Sequence, residues 1–181
     1  MGINSEVKAV FLDRDGVLNK SIVKKGLPFP PKTLDEVEIP IGVIEGLKYL
    51  KKMGFMTIVI TNQPDVARNK TSIENVNKIN NYLKKKLEIN HFICCFHDDK
   101  DNCECRKPKS GMVNVAKNKW NINLKESFLV GDRWKDIVCG NNAGLTTFLI
   151  NHGYNEKFVE PNFKCKNFNQ VVEIIKSLKQ K

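Results

Sequence analysis

The sequence has 181 residues, of which 41% are hydrophobic and 28% are charged, and its formal net charge is +10 at pH 7. These proportions are ordinary for a globular protein, and no apolar run approaches the roughly 20 residues of a membrane-spanning helix. We expect one domain over residues 1–181, located in the cytoplasm because the N-terminus lacks an apolar signal core. The positive charge favours anionic partners, either nucleic acid or phosphorylated small molecules, but lysine-rich solvated helix faces explain it more simply.

A short buried strand is predicted at residues 7–12, where an apolar run ends at Asp13-Arg14-Asp15-Gly16. In an open parallel sheet, ligands bind beyond the carboxyl ends of the strands. Asp13 and Asp15 are two residues apart, so in an extended segment both carboxylates can face one pocket. Carboxylates this close repel each other unless a cation lies between them, which indicates a divalent metal. The alternative is an aspartate-rich turn without chemistry.

The next segments predict a loop, a helix and a second strand. Residues 27–31 are rich in proline and form a stiff loop that can wall the pocket, and the helix after it ends at Gly54. A β-branched run at residues 56–60 predicts a strand that ends at Thr61, whose hydroxyl can bind a phosphate oxygen; a turn or helix cap is the alternative. Capping-box spacing at residues 71–74 predicts the start of an amphipathic helix.

A third strand, predicted at residues 92–96, leads into a cluster of thiols and one imidazole. The four side chains fall within eleven residues and suit a closed tetrahedral zinc site: Cys95, His97, Cys103 and Cys105. Without a secretory signal, clustered cysteines indicate metal ligands before disulfides. The loop at residues 98–102 has no apolar residue to anchor it, and a metal would order it. The alternative is a coincidence of reduced surface cysteines.

The rest of the chain completes the predicted fold. Arg106 and Lys107 follow the cysteines at once, so they are either aimed at phosphate by the metal loop or part of a solvated charge run. After a helix over residues 111–120, a fourth strand at residues 127–130 ends in a segment with two more acids, Asp132 and Asp136. A fifth strand at residues 146–150 and a helix from Asn167 follow. We expect a doubly wound, Rossmann-like, mostly parallel sheet with helices on both faces.

Four segments, in this order, resemble the motifs of the haloacid-dehalogenase-like (HAD) phosphohydrolases: residues 13–19, 61–68, 103–112 and 131–136. The resemblance covers about residues 7–155 and implies a HAD-type fold, here without a large cap domain. It also implies magnesium-dependent hydrolysis of a phosphomonoester. Asp13 would attack phosphorus to form an aspartyl-phosphate, and Asp15 would act as general acid and base.

The resemblance further implies ligand roles. Magnesium would be held by Asp13, Asp132 and the carbonyl of Asp15, with Asp136 positioning Lys107 or the metal shell. The residues implied to bind the reacting phosphate or the rest of the substrate are Thr61, Asn62, Arg68, Arg106, Lys107 and Arg133. Arg68 and Arg106 are the available contacts for a second phosphate.

The second and third motifs resemble a narrow branch that contains heptose bisphosphate phosphatases and histidinol-phosphate phosphatases. This resemblance implies removal of the 7-phosphate of D-glycero-D-manno-heptose 1,7-bisphosphate, a step in the synthesis of heptose nucleotides for lipopolysaccharide. Histidinol phosphate is the alternative substrate, and a DNA 3′-phosphatase is a third possibility. A zinc-stabilised nucleic-acid-binding module is the competing class, but it leaves the polar strand ends unexplained. We expect a monomer that binds a phosphorylated sugar and neither membrane nor nucleic acid.

Overall fold

The computed structural model describes residues 6–180; residues 1–5 and 181, which the predicted domain bounds include, lie outside the described residues. The strands, in chain order, are β1 (Ala9–Leu12), β2 (Ile22–Lys24), β3 (Leu27–Phe29), β4 (Met56–Asn62), β5 (His91–Cys95), β6 (Phe128–Gly131), β7 (Thr146–Ile150) and β8 (Phe163–Cys165). The helices are α1 (Val43–Lys52), α2 (Ile73–Leu87), α3 (Gly111–Trp120), α4 (Trp134–Ala143) and α5 (Phe168–Lys179).

Six of these strands form one sheet in the order β5-β4-β1-β6-β7-β8, and every neighbouring pair is parallel. The chain steps outward from β1 through β4 to β5, then returns to the other side of β1 with β6. A crevice therefore opens at the carboxyl ends of β1 and β6, where α/β sheets bind their ligands. The predicted doubly wound α/β fold is confirmed.

Two apolar layers explain why β1 is apolar at every position. Val10 and Leu12 pack in the core beneath α1, α2 and α5, whereas Ala9 and Phe11 pack in the core on the opposite face, beneath α3 and α4. A strand covered on both faces has no side chain that points to water. No helix within residues 6–180 is both long and apolar enough to cross a membrane.

Several predicted elements differ in detail from the structure. The first strand starts at Ala9, because Val7 makes only an isolated bridge to Ile122. Helix α2 is capped by Ser72, whose side chain accepts a hydrogen bond from the Asn75 amide, and not by the preceding threonine. The predicted bounds of α3 and β7 agree with the structure.

The proline-rich segment is not a plain loop. Leu27–Phe29 pairs antiparallel with Ile22–Lys24, which makes a two-stranded hairpin separate from the main sheet. The prediction missed this pairing because Pro28 removes a backbone donor and the strands have only three residues each. It also missed β8, an equally short strand at the sheet edge.

Phe148 provides a test of the core, because it lies between two other rings. Its centroid is 5.7 Å from that of Phe128 and 5.0 Å from that of Phe163, and its side chain is fully buried. We expect Phe148→Ala to lower the free energy of unfolding by about 3–5 kcal/mol, because the truncation leaves a cavity. Chemical denaturation measures this change.

The matched control is Phe158→Ala, since Phe158 is 65% exposed. It should change the free energy of unfolding by less than about 0.5 kcal/mol. Equal effects of the two substitutions would contradict the description of this core.

Candidate active site

Three buried carboxylates meet at the crevice between β1 and β6. Asp13 directly follows β1, Asp132 directly follows β6, and Asp136 lies in the first turn of α4. One carboxylate oxygen from each lies within 4.8 Å of the others. The Asp13 amide also donates to the Val130 carbonyl over 2.9 Å, which ties the end of β1 to β6. The sheet topology thus brings together acids that are more than 100 residues apart in the chain.

Lys107 is the cation that compensates this cluster. Its ammonium lies 2.7 Å from Oδ1 of Asp13 and 2.6 Å from Oδ1 of Asp136, and it donates to the Ile60 carbonyl over 2.8 Å. Burial alone would lower the pKa of Lys107, but the charges of the two aspartates outweigh it and raise that pKa. Burial raises the pKa of Asp13 to about 6, although Lys107 opposes this shift.

Asp132 has the properties expected of a ligand for a hard cation. Both of its carboxylate oxygens are buried, and neither meets hydrogen-bond geometry with a described donor, although the Tyr154 hydroxyl is near enough to lower the pKa of Asp132. Burial raises the pKa of Asp132 well above its usual value, and the charges of Asp13 and Asp136 add to the shift. Gly16 makes room for this carboxylate, because a Cβ at that position would lie 1.8 Å from Oδ2 of Asp132. Oxygen ligands of this kind suit Mg²⁺.

Asp15 is held by four donors. The Arg14 guanidinium binds both of its oxygens, from Nε to Oδ1 over 3.0 Å and from Nη2 to Oδ2 over 2.9 Å. Asn19 donates to Oδ1 over 3.0 Å, and Gln63 donates to Oδ2 over 2.8 Å. Arg14 itself is fully buried, and its remaining nitrogen donates to Asn80 of α2 over 2.9 Å. The orientation of the Asp15 carboxylate is therefore set by side chains from three parts of the chain.

The end of β4 supplies the opposite wall. Thr61 is buried at the crevice, and Asn62 pairs its carboxamide with the backbone of Lys107 in both directions, each over 3.0 Å. This pairing fixes the loop that carries Lys107 against the strand that carries Thr61. Asn62 thus positions the cation as well as lining the cavity.

A cavity of about 260 Å³ lies above these groups, with Asp13, Asp15, Thr61 and Lys107 among its lining residues. The hairpin lines its mouth with Leu27, Pro28 and Phe29, so the expectation that this segment walls the pocket is confirmed, although as strands and not as a loop. Four further cations line the cavity: Arg68, Lys70, Arg133 and Lys135. The lining thus combines carboxylates with several cations, which suits a substrate with more than one anionic group.

Two of the predicted substrate-binding arginines already have acidic partners. Arg133 forms an ion pair with Glu156, and its Nε is buried without a hydrogen-bond partner within residues 6–180. Arg68 forms an ion pair with Asp98. Both guanidinium groups nevertheless line the cavity.

The structure does not bring Arg106 into this group. Its Nε donates to Asp99 over 2.8 Å, its Nη1 donates to the His97 carbonyl over 3.3 Å, and it does not line the cavity. Sequence reasoning placed Arg106 with its neighbour Lys107, but side chains that follow each other in a loop point in different directions. In the structure Arg106 braces the loop of residues 97–106.

The cysteine and histidine side chains predicted to bind zinc lie together. The thiol of Cys105 is 3.2 Å from that of Cys95, 3.4 Å from that of Cys103 and 3.3 Å from Nδ1 of His97. A tetrahedral zinc with bonds of about 2.3 Å to sulfur separates its sulfur ligands by about 3.8 Å. The cluster is close to this spacing, and the donor set is the one found in structural zinc sites. Cys94 lies outside it and accepts a hydrogen bond from Asn80.

Sequence reasoning missed three polar side chains that contact Asp15. Arg14, Asn19 and Gln63 all stand inside or next to the motifs, but residue type alone does not reveal that they contact the same carboxylate. Arg14 offered one signal, since an arginine between two aspartates at a buried strand end requires a partner.

The chain is similar to known proteins over almost its full length. The HAD-hydrolase-like family model matches residues 104–176. A D-glycero-beta-D-manno-heptose-1,7-bisphosphate 7-phosphatase from Helicobacter pylori is 30% identical over 175 residues, which cover 93% of this chain and 98% of that protein. A D-glycero-alpha-D-manno-heptose-1,7-bisphosphate 7-phosphatase from Campylobacter jejuni is 31% identical, with 97% and 98% covered.

A solved structure supports the same assignment at the level of the fold. D,D-heptose 1,7-bisphosphate phosphatase from B. bronchiseptica, complexed with magnesium and phosphate, aligns with a TM-score of 0.82 at 24% identity and covers 97% of this chain and 100% of that chain. With the carboxylate cluster at the expected strand ends, the chain therefore belongs to the HAD-like phosphatase family, in the branch of the heptose 1,7-bisphosphate 7-phosphatases.

Proposed function

We propose that this protein is a magnesium-dependent phosphatase that removes the 7-phosphate of D-glycero-D-manno-heptose 1,7-bisphosphate. The observation that carries the proposal is the position of Asp13. Its carboxylate lines the cavity, 2.7 Å from the buried ammonium of Lys107, and one of its oxygens lies within 4.8 Å of an oxygen of each of the two further acids, Asp132 and Asp136. A nucleophilic carboxylate, a phosphate-binding cation and a cation-binding acid cluster in one cavity are the groups that phosphoryl transfer requires.

Asp13 and Asp132 would hold Mg²⁺, together with the backbone carbonyl of Asp15. The buried carboxylate of Asp132 supports this assignment. Lys107 pairs with Asp13 and Asp136, so the charge of Asp132 has no ion-pair partner among the described residues, which is unfavourable unless a cation binds it. When bound, Mg²⁺ supplies charge neutralisation for the phosphoryl oxygens. Asp136 contacts Lys107 over 2.6 Å, so its proposed role is to position that cation.

The proposed reaction has two steps on the residues of this chain. The Asp13 carboxylate attacks phosphorus, the bond from phosphorus to the sugar oxygen breaks, and Asp15 gives its proton to that oxygen. Asp15 then takes a proton from water, which attacks the aspartyl-phosphate, and phosphate leaves with Asp13 regenerated. Lys107 and the hydroxyl of Thr61 bind the phosphoryl oxygens in both steps.

Two observations support a sugar bisphosphate as the substrate. The relatives from Helicobacter pylori and Campylobacter jejuni are phosphatases of the beta and alpha forms of heptose 1,7-bisphosphate. The cavity also has more cations than one phosphate needs, because Arg68 and Arg133 line it in addition to Lys107, which would serve the reacting group. We propose that Arg133, with an unpaired buried nitrogen, contacts the second phosphate.

We also propose that the cluster of Cys95, His97, Cys103 and Cys105 binds a structural zinc. All four positions are filled by the protein, which leaves none for a substrate.

Six free cysteines suit a reducing compartment, which supports a cytoplasmic location. We propose a monomer as the active unit.

The nucleophile is tested by Asp13→Asn. The amide keeps the shape of the carboxylate but cannot attack phosphorus, so turnover should fall by at least about 1,000-fold while the fold is retained. Phosphate release measures the activity, and circular dichroism measures the fold.

Asp35→Asn is the control, since Asp35 is an exposed acid that does not line the cavity. It should leave turnover unchanged. Substantial phosphatase activity in the Asp13 variant would mean that another group is the nucleophile.

The zinc site is tested by Cys103→Ser. Protein purified without added zinc should contain one zinc per chain, and the variant should lose it. The melting temperature should fall by several degrees, since 1 kcal/mol corresponds to about 2–4 °C at this size. Elemental analysis and calorimetry make the two measurements.

Cys94→Ser is the matched control, because Cys94 is adjacent to the cluster but does not join it. It should retain zinc. A zinc-free wild type of unchanged stability would rule out the structural zinc.

The substrate is tested by Arg133→Ala. Loss of a charge-assisted contact to phosphate should lower kcat/KM for the heptose bisphosphate by about 10- to 100-fold, and should affect p-nitrophenyl phosphate much less. Arg106→Ala should lower both activities equally, because Arg106 braces the loop that carries Lys107.

If Arg106→Ala lowers kcat/KM for the heptose bisphosphate much more than for p-nitrophenyl phosphate, Arg106 contacts the second phosphate directly, as expected from the sequence. A phosphate-release screen of the wild type should rank heptose bisphosphate above histidinol phosphate and 3′-phosphorylated DNA. A higher kcat/KM for either of these would replace the proposed substrate.

A further inference from the structure

We infer that Gln63 is a positioning residue that sets two catalytic groups at once, the hydroxyl of Thr61 and the carboxylate of Asp15. This inference rests on the proposed function, in which Thr61 binds the phosphoryl oxygens and Asp15 protonates the leaving oxygen. The single nitrogen Nε2 of Gln63 lies 2.9 Å from Oγ1 of Thr61 and 2.8 Å from Oδ2 of Asp15. A carboxamide nitrogen has two hydrogens, so it can serve both acceptors together.

The contact with Thr61 decides where that hydroxyl points its proton. A hydroxyl has one hydrogen to donate and lone pairs that accept. Because Gln63 donates to Oγ1 of Thr61, the Thr61 hydroxyl accepts this hydrogen bond. Its own proton therefore points away from Gln63 and can be donated to a different acceptor. Thr61 lines the cavity, where a phosphoryl oxygen would be that acceptor.

The contact with Asp15 completes the hold on its carboxylate. Oδ1 accepts from Arg14 and Asn19, while Oδ2 accepts from Arg14 and Gln63. Three of these four hydrogen bonds come from residues within four positions of Asp15 in the chain. Gln63 is the one of these donors that comes from the loop after β4. Its contact therefore fixes the position of the Asp15 carboxylate relative to Thr61, the proposed phosphate-binding residue.

Gln63 is itself firmly held. Its side chain is almost completely buried, with 1% of the residue exposed, and its backbone amide donates to the Cys95 carbonyl over 2.7 Å. A buried side chain on an anchored backbone keeps one orientation. The distance between the acid and the phosphate-binding hydroxyl is thus bridged by a single rigid group.

The test uses the dependence on the leaving group. p-Nitrophenolate leaves as a stable anion and needs little help from an acid, whereas phenolate needs more. We compare kcat/KM for p-nitrophenyl phosphate and phenyl phosphate in the wild type, Gln63→Met, Gln63→Glu and Asp15→Asn. Methionine is about as long as glutamine but has no hydrogen-bond donor. Glutamate keeps the shape of glutamine but replaces the donating amide with an anion beside Asp15. Melting temperatures show which variants are folded, and Gln63→Glu provides the comparison should the methionine variant not fold.

The expected result is a selective loss. Both Gln63 variants should lose about 10- to 100-fold more activity on phenyl phosphate than on p-nitrophenyl phosphate, as Asp15→Asn does to a larger extent. A purely structural role would lower both activities by the same factor. Gln170→Met is the control and should lower neither activity. Gln170 lies in α5, its side-chain oxygen accepts from the Lys166 backbone amide over 2.8 Å, and it does not line the cavity.

The outcomes separate this inference from the proposed function. If Asp15→Asn is selective and the Gln63 variants are equal on both substrates or unchanged, the role of Gln63 is overturned and the acid assignment stands. If Asp15→Asn is not selective, Asp15 is not the acid, and both the assignment and the inference fall.

Discussion

The architecture of the site depends on one buried ion cluster, in which Lys107 lies between Asp13 and Asp136. The lysine comes from the segment after the cysteine cluster, Asp13 from the end of β1, and Asp136 from α4. Removing one member of a buried ion pair typically destabilises a protein by about 3–5 kcal/mol, because the remaining charge is left uncompensated. The same contact therefore orders three segments and places the cation beside the proposed nucleophile, so stability and chemistry are linked at this point.

Much of this arrangement could be predicted because apolar runs and their ends are local properties of the sequence. Each buried strand ends where polar residues begin, and in a parallel sheet all carboxyl ends meet at one edge. This reasoning brought Asp13, Thr61 and Asp132 to one crevice, the family resemblance added Lys107, and the structure places these residues there. The thiol cluster could be predicted for the same reason, since its ligands are close in the chain.

What could not be predicted is the direction of individual side chains, whether their partners are near or distant in the sequence. Arg106 was expected to face the substrate with Lys107, but the acid at Asp99 and the His97 carbonyl turn it toward the loop. Gln63 stands in a recognised motif, yet its contact with Asp15 depends on the pairing of β1 with β4 in the sheet. The two shortest structures, the hairpin and β8, escaped detection because three residues carry too little periodicity to identify a strand.

The hairpin of β2 and β3 is a two-stranded sheet of its own, whereas the groups that would carry out the reaction lie at the ends of the strands of the six-stranded sheet or in the segments next to them. Val23, Leu27 and Phe29 are all more than 40% exposed, so their replacement removes little buried apolar surface. Evolution can therefore alter the mouth of the cavity without a large penalty in folding. A scaffold divided in this way can acquire new substrates by changing a few hairpin residues, and a protein engineer can begin a library there.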